Sequence, residues 1–350
     1  MNRNKFVRKN NVIFLSNAIA GIATFQGNLI EFFSQNKIKS ILIDTNKECL
    51  ENLHDQKLNK FYKCNLLKEF NKSIEILKEI ERLNVRKNNI FIISNTAIYS
   101  IYFFLIKLIF KKSQIILFYH SHIYNFNFTQ IIAGFVSSLL SIFNKYNIYV
   151  SNFTLRWWNV FFPLSKLSNQ KVIYNLVKLP AKVRKKKHNI LKIGFIGRFE
   201  REKGLHKFLE VAKNIENKKL KFYIFGKGSI KINKIKNKNL KLNTWTKKDK
   251  IYNKINLLFV TSKIENCPFS VLEAKSRGIP TITISKGGIK EIIKNNNDGI
   301  ILNNNISIKE IEKNFVRILD NYKFYEKNCI ENSKKFRLNN YERLSKLINV

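Results

Sequence analysis

Cysteine is scarce in this chain: Cys49, Cys64, Cys267 and Cys329 are four in 350 residues, and no two form a CxxC pair. Such spacing argues against a disulfide framework and against a thiolate zinc site. Proline and glycine are also few, at 4 and 12, which excludes collagen-like and low-complexity sequence. Acid is lacking above all. Only 24 Asp and Glu stand against 64 Lys and Arg, giving a formal net charge of +40, and from Arg82 to Arg198 there is no Asp or Glu at all. What the chain does have is an ordinary apolar fraction, 45%, with 13% aromatics. That is enough to fold and too much for a disordered basic tail. At about 100–200 residues per domain, the length fits two domains.

A positive excess of this size fits nucleic acid, anionic membrane or an acidic substrate. It also fits drift in base composition, because the abundant Ile, Lys and Asn have A/T-rich codons. Arg is scarce beside Lys, which weighs against a sequence-specific DNA reader that would use Arg on guanine. The acid-free stretch carries Lys107, Lys111, Lys112, Lys145, Arg156, Lys166, Lys171 and Lys178 among many Phe, Tyr, Trp and Ile. A surface facing anionic lipid has that character.

The N-terminus, MNRNKFVRKNNVIFLSNAIAG, has the basic start of a signal peptide. Its apolar run Val12–Leu15 is short, however, and Ser16 and Asn17 interrupt it, so it reads as a first strand. Ile90–Phe110 has about the 20 residues of a membrane helix and one charge, Lys107. Ser94, Asn95 and Thr96 fall where a strand would turn into a helix. The stretch therefore reads as strand Ile90–Ile93 and helix Ala97–Phe110, an apolar helix partly exposed at a membrane surface.

Strands and helices alternate along the rest. Strands are expected at Val12–Leu15, Ser40–Asp44, Ile90–Ile93, Ile115–Tyr119, Ile148–Val150 and Val172–Tyr174. Helices are expected at Ile22–Ser34, Lys68–Leu83 and Thr129–Asn144. Pro180 and the run Arg184–Lys187 suggest a linker. A second series follows, with strands at Leu191–Ile196, Phe222–Phe225, Leu240–Leu242, Leu257–Val260, Thr281–Ile284 and Ile300–Leu302. Its helices are Leu205–Ile215, Lys247–Lys254, Ser270–Arg277 and Gly288–Lys294. Repeated βα units imply an α/β protein of two doubly wound, Rossmann-like domains with parallel sheets, binding a ligand in a cleft at strand C-terminal ends. The expected division is an N-terminal domain over 1–178, a linker over 179–190, a C-terminal domain over 191–330 and a C-terminal helix over 331–350. That helix is expected to pack back on the N-terminal domain.

Four motifs carry chemistry. GRFEREKG, Gly197–Gly204, follows a strand and precedes a helix. Gly197 permits a tight turn, and Arg198 and Lys203 set two cations beside a helix N-terminus, an arrangement suited to a diphosphate. Taken alone, the motif equally describes a solvated basic turn. Gly226 and Gly228 in GKG end the next strand, where a backbone can approach a ligand closely. Glu265 and Glu273, separated by seven residues in ENCPFSVLEAKSRGIP, place one carboxylate at a strand end and one about a turn inside a helix. Both can then face a single ligand, and each accepts two or more hydrogen bonds from sugar hydroxyls. Alone they also read as a solvated pair. Gly287-Gly288 opens another helix after a strand.

GRFEREKG, GKG, ENCPFSVLEA, SKGGIKEII and NNNDGIIL, in this order, closely resemble the retaining nucleotide-sugar glycosyltransferases of family 4, which have the GT-B fold. The resemblance covers about Leu191–Leu302 and is fainter over the first half, the acceptor domain of that family. It implies that Arg198 and Lys203 hold the donor diphosphate, Glu265 the donor sugar and Glu273 the ribose. Gly197, Gly226, Gly228, Phe269, Ser270, Gly287 and Gly288 would line the donor pocket. In Phe118-Tyr119-His120-Ser121-His122 it points to His120 near the reacting centre, with His122 on the acceptor side. Ser151 and Asn175 resemble polar residues at corresponding strand ends. The family's glycine-rich first loop is reduced here to Gly21 in Ser16–Thr24, which departs from the pattern.

The resemblance implies transfer of a hexose from a nucleotide diphosphate sugar to a glycan or lipid-linked acceptor, with retention and without a metal or other cofactor. Arg198, Lys203 and helix dipoles would stabilise the leaving diphosphate, and domain closure would exclude water. A role in bacterial surface polysaccharide synthesis is the commonest outcome. The expected location is the cytoplasm, peripheral on the inner face of the membrane, with contact to anionic lipid and none to nucleic acid. Two alternatives stay open: a GT-B sugar-nucleotide epimerase or other non-transferase enzyme, and a basic nucleic-acid-binding protein.

Overall fold

Runs of four to six Ile, Leu, Phe and Val recur along the chain, bounded by Asn, Lys, Ser or Gly. Such runs are too short for a helix and suit strands buried on both faces. A computed structural model describes residues 11–16, 21–38, 40–44, 60–63, 75, 78, 89–94, 114–123, 127–180, 189–228, 239–243, 246, 248–337 and 341–348. The chain forms two compact units: Met1–Leu176 with Leu338–Val350, and Val177–Arg337.

The first unit is built on seven strands: β1 (Asn11–Ser16), β2 (Ser40–Asp44), β3 (Lys60–Lys63), β4 (Asn89–Ser94), β5 (Gln114–Tyr119), β6 (Tyr146–Tyr149) and β7 (Gln170–Val172). All pair in parallel, in the order β3-β2-β1-β4-β5-β6-β7. Helices α1 (Gly21–Gln35), α2 (Phe128–Leu140) and α3 (Asn152–Phe161) belong to this unit. Phe25, Leu29, Ile30 and Phe33 of α1 are buried, and the Phe25 ring lies 4.7 Å from that of Phe118 on β5.

The second unit has six strands: β8 (Leu191–Ile196), β9 (Leu220–Phe225), β10 (Leu240–Asn243), β11 (Leu257–Val260), β12 (Thr281–Thr283) and β13 (Gly299–Ile301). They are also parallel, in the order β10-β9-β8-β11-β12-β13. Its helices are α4 (Leu205–Asn214), α5 (Lys248–Tyr252), α6 (Phe269–Ser276), α7 (Ile289–Ile292), α8 (Ile308–Asp320) and α9 (Tyr322–Ser333). Every residue of β11 is buried. Phe208 of α4 meets Phe222 and Phe259 at 5.9 and 6.0 Å, and Phe259 meets Phe315 of α8 at 5.3 Å. These edge and tilted contacts suit aromatic quadrupoles and fill the core. The start of α8 is fixed by a capping box between Ser307 and Glu310, which satisfies two of its free amide donors.

Both units are therefore doubly wound α/β sheets in the Rossmann-like order. The direction of winding reverses between β1 and β4 in one sheet and between β8 and β11 in the other, and such a reversal opens a crevice at the strand C-terminal ends. After Arg337 the chain returns to the first unit, where it ends in α10 (Glu342–Ile348). Tyr341, fully buried just before α10, packs its ring 6.4 Å from Phe25 and 5.7 Å from Phe32. The C-terminal segment thus packs on α1 as expected, but the expected helix over 331–350 is not one element: residues 331–333 end α9, and the returning helix is Glu342–Ile348.

Several details differ from the sequence reading. The second unit runs on to Arg337, so a boundary at 330/331 cuts through α9. Strands β3 and helices α3, α8 and α9 were not anticipated. Strand β7 starts two residues before the expected Val172, and α2 gives way after Leu140 to a 3-10 turn over Ser141–Phe143. The helix after Gly288 spans only Ile289–Ile292 because Ile293 turns extended. The expected helices Lys68–Leu83 and Ala97–Phe110, apart from isolated positions, and most of the linker lie outside the described residues. Among the described residues no helix is long and apolar enough to cross a membrane.

Candidate functional site

The loops leaving β8, β9, β11 and β12 lie side by side at one edge of the second sheet, and backbone hydrogen bonds stitch them together. Gly197 N donates to Phe225 O, and Phe199 N to Lys227 O. A Cβ on Gly226 would fall 1.9 Å from Gly197 O, and one on Gly228 within 3.0 Å of the Phe199 backbone. These two glycines are thus what lets the GKG loop lie against the GRF loop. On the other side, Lys263 N donates to Glu202 O, and Thr261 Oγ1 to Gly204 O. Gly204 has φ 70°, and a Cβ there would sit 1.9 Å from Thr261 O.

Lys203 and Glu265 meet across this seam. Lys203 Nζ lies 2.6 Å from Glu265 Oε1, which also accepts from Ser262 Oγ at 2.8 Å. Glu265 is 8% exposed. Its backbone is held from both directions: Glu265 N donates to Lys286 O, and Ile289 N to Glu265 O. The carboxylate is therefore fixed at the junction of the loops from β8, β11 and β12, the last containing Gly287 (φ 96°) and Gly288. Among the described residues Oε2 takes no partner, so it remains available to a ligand hydroxyl. Arg198, half exposed, pairs with Glu200.

Glu273 sits five residues into α6, counting Phe269 as the first and Ser270 as the second. Both of its oxygens are engaged: Lys248 Nζ approaches Oε1 at 2.6 Å, and Tyr252 OH donates to Oε2 at 2.8 Å. Burial, and then the adjacent carboxylate, hold the Tyr252 hydroxyl well above its ordinary pKa. Arg277 stacks on the Tyr252 ring at 4.7 Å and pairs with Asp249. Each carboxylate is thus positioned by its own basic partner. Lys248 and Tyr252 were missed by sequence reasoning, and nothing in the spacing of α5 relative to Glu273 marks them.

In the first unit His120 directly follows β5. Its ring packs 4.5 Å from Phe25 and 6.0 Å from Phe118, and its buried Nε2 has no hydrogen-bond partner among the described residues. Desolvation lowers its pKa to about 3, so the imidazole is neutral at physiological pH. His122 is buried against Phe153 and Trp157 of α3. Ser151 caps α3, its Oγ accepting from Thr154 N. Asn175 is buried, and Gly21 is the exposed first residue of α1.

Residues 178–336 match the family model "Glycosyl transferases group 1", and the fold of the two units is that of GT-B glycosyltransferases. Solved structures with the same fold include Alr3699/HepE from Anabaena in complex with UDP-glucose, at 12% identity and TM-score 0.77, covering 97% of this chain and 99% of that one. A glycosyltransferase from Rickettsia africae ESF-5 has 16% identity and TM-score 0.76, with the same coverage. Sucrose-phosphate synthase from Thermosynechococcus elongatus has 12% identity and TM-score 0.74, again over 97% and 99%. Against curated protein sequences the chain finds no match.

Proposed function

We propose that the chain is a retaining, family 4 type hexosyltransferase that takes a nucleoside diphosphate sugar as donor and a glycan or lipid-linked saccharide as acceptor. The carrying observation is the Lys203–Glu265 pair, fixed at the crevice of a sheet whose residues match the group 1 family. An ammonium has three donors, and one serves Glu265 Oε1. The other two are free to turn to the diphosphate oxygens. Arg198 supplies further N–H groups beside them. As the bond to the anomeric carbon lengthens, charge grows on the departing diphosphate, and these cations stabilise it where it forms. Glu265 Oε2 orients the sugar by accepting from a hydroxyl. Glu273 keeps unused lone pairs on its oxygens for the ribose hydroxyls. Gly197, Gly226, Gly228, Phe269, Ser270, Gly287 and Gly288 shape the donor pocket. His120, neutral at working pH, serves the reacting centre, with His122 and Gly21 on the acceptor side. No metal or other cofactor enters this scheme.

The proposed place of action is the cytoplasmic side of a bacterial membrane, in surface polysaccharide synthesis. Uridine diphosphate glucose is the first donor to try, since it is bound in the Anabaena structure. The test is release of nucleoside diphosphate from a panel of nucleotide sugars. We expect turnover with at least one donor and a loss of about 10²–10³-fold in kcat for Lys203→Ala, with Arg198→Ala and Glu265→Ala also severely impaired. Absence of donor binding and of turnover across the panel refutes the function. Full activity in both Arg198→Ala and Glu265→Ala refutes the site.

A further inference from the structure

Helix α2 is inside out. Its buried face is made of Ala133, Gly134, Ser137 and Ser138, small residues whose hydroxyls bond inward, Ser137 to Tyr119 OH and Ser138 to Phe162 O. Its outward face carries Phe128, Ile132, Phe135 and Leu139, exposed by 76, 47, 49 and 50%. Their spacing of four, three and four residues draws one stripe along the helix. A surface helix ordinarily turns such a stripe to the core.

The stripe does not end with the helix. Phe143 in the following 3-10 turn is exposed, as are Val160 and Phe161 at the end of α3 and Leu164 and Leu167 in the turn over Pro163–Leu167. That last turn packs against both α2 and α3, and the Phe135 ring meets Phe162 at 5.3 Å. Among the described residues, nine of the twelve exposed large apolar side chains fall within residues 128–167. Concentration of this kind marks an interaction surface.

The charges beside the patch indicate what covers it. Helix α2 has no charged residue. Arg156 stands exposed one turn before Val160, Lys166 precedes Leu167, and Lys171 is exposed on the edge strand β7. The region holds no Asp or Glu. A protein partner or a second copy of this chain requires no such one-sided charge. An anionic bilayer does, because apolar side chains enter the acyl boundary while cations stay among the headgroups.

We propose that α2, the end of α3 and the turn over Pro163–Leu167 form a docking face for an anionic lipid bilayer. The proposed function supplies the reason such a face is useful, namely a lipid-linked acceptor, and to that extent the inference rests on it. Vesicle binding itself is read with neither donor nor acceptor, so the two can fail separately.

The test is flotation of the full chain with vesicles of phosphatidylcholine alone or mixed with phosphatidylglycerol. The wild type floats with the mixed vesicles, and less so as salt rises. Phe128→Ser/Ile132→Ser/Leu139→Ser weakens partitioning by about tenfold or more. Arg156→Gln/Lys166→Gln weakens it by roughly fivefold per cation lost. The second variant touches only exposed side chains and keeps the test decisive should the first not fold. Three outcomes overturn the proposal. One is no flotation, or equal flotation on neutral vesicles. Another is wild-type flotation by both variants. The third is a wild-type dimer that the triple variant dissolves while vesicles bind neither.

Discussion

His120 illustrates how a single residue can be read at two levels. Its position after β5 is visible in the sequence, but its neutrality comes from the packing of Phe25 and Phe118 around it. The folded pKa of about 3 lies below the ordinary 6.5. Between those values the unfolded chain binds the extra proton, so this group's contribution is complete above pH 6.5 and is lost as pH falls toward 3. Going from pH 7 to pH 5 should lower the unfolding free energy by about 2 kcal/mol through this residue. Chemical denaturation of wild type and His120→Gln at the two pH values measures the difference, and equal pH dependence would contradict it. The charged pairs of the second unit were legible only in part. Lys203, Glu265 and Glu273 stand out by motif, yet the separation of 62 positions between Lys203 and Glu265 hides that they touch. The partners of Glu273 were not legible at all, because Lys248 and Tyr252 lie on a five-residue helix with no distinctive pattern.

At the scale of elements, β8 and β11 were found in the sequence at their observed bounds because β11 is a continuous apolar run and Lys192 is the one charged residue within β8. Strand β3, with sequence KFYK, was invisible since lysine flanks its two aromatics. Helix α3 was missed for a physical reason. Its exposed end carries Val160 and Phe161, so the apolar pattern does not separate an inner from an outer face. The most exacting element is the turn that delivers Lys203 to Glu265. In Gly204→Ala the left-handed backbone is strained, and the new Cβ is driven into Thr261 O. We expect a loss of about 3 kcal/mol or more, seen in urea denaturation, together with reduced donor binding. A loss below half that figure would show that the turn can relax without cost to the seam.

For the whole molecule, the two Rossmann-like sheets were readable from repeated βα units and the return of the chain to its first unit was expected, whereas the contact that makes it, Tyr341 with Phe25 and Phe32, was not legible. If the donor binds as proposed, a nucleoside diphosphate at 100 times its Kd adds about 2.7 kcal/mol to the state that holds it. Hydrogen exchange should then show new protection in residues 197–204, 261–268 and 284–289, and protection confined to the first unit would contradict the assignment. The two-part make-up of the first unit also sets an order of events on the ribosome. Residues 177–337 are synthesised as one uninterrupted stretch and can close their core as they emerge. The first unit starts earlier but must wait, with the buried face of Phe25 and Phe32 uncovered, until Tyr341 and α10 have left the exit tunnel. The half that is made first is the half that is finished last.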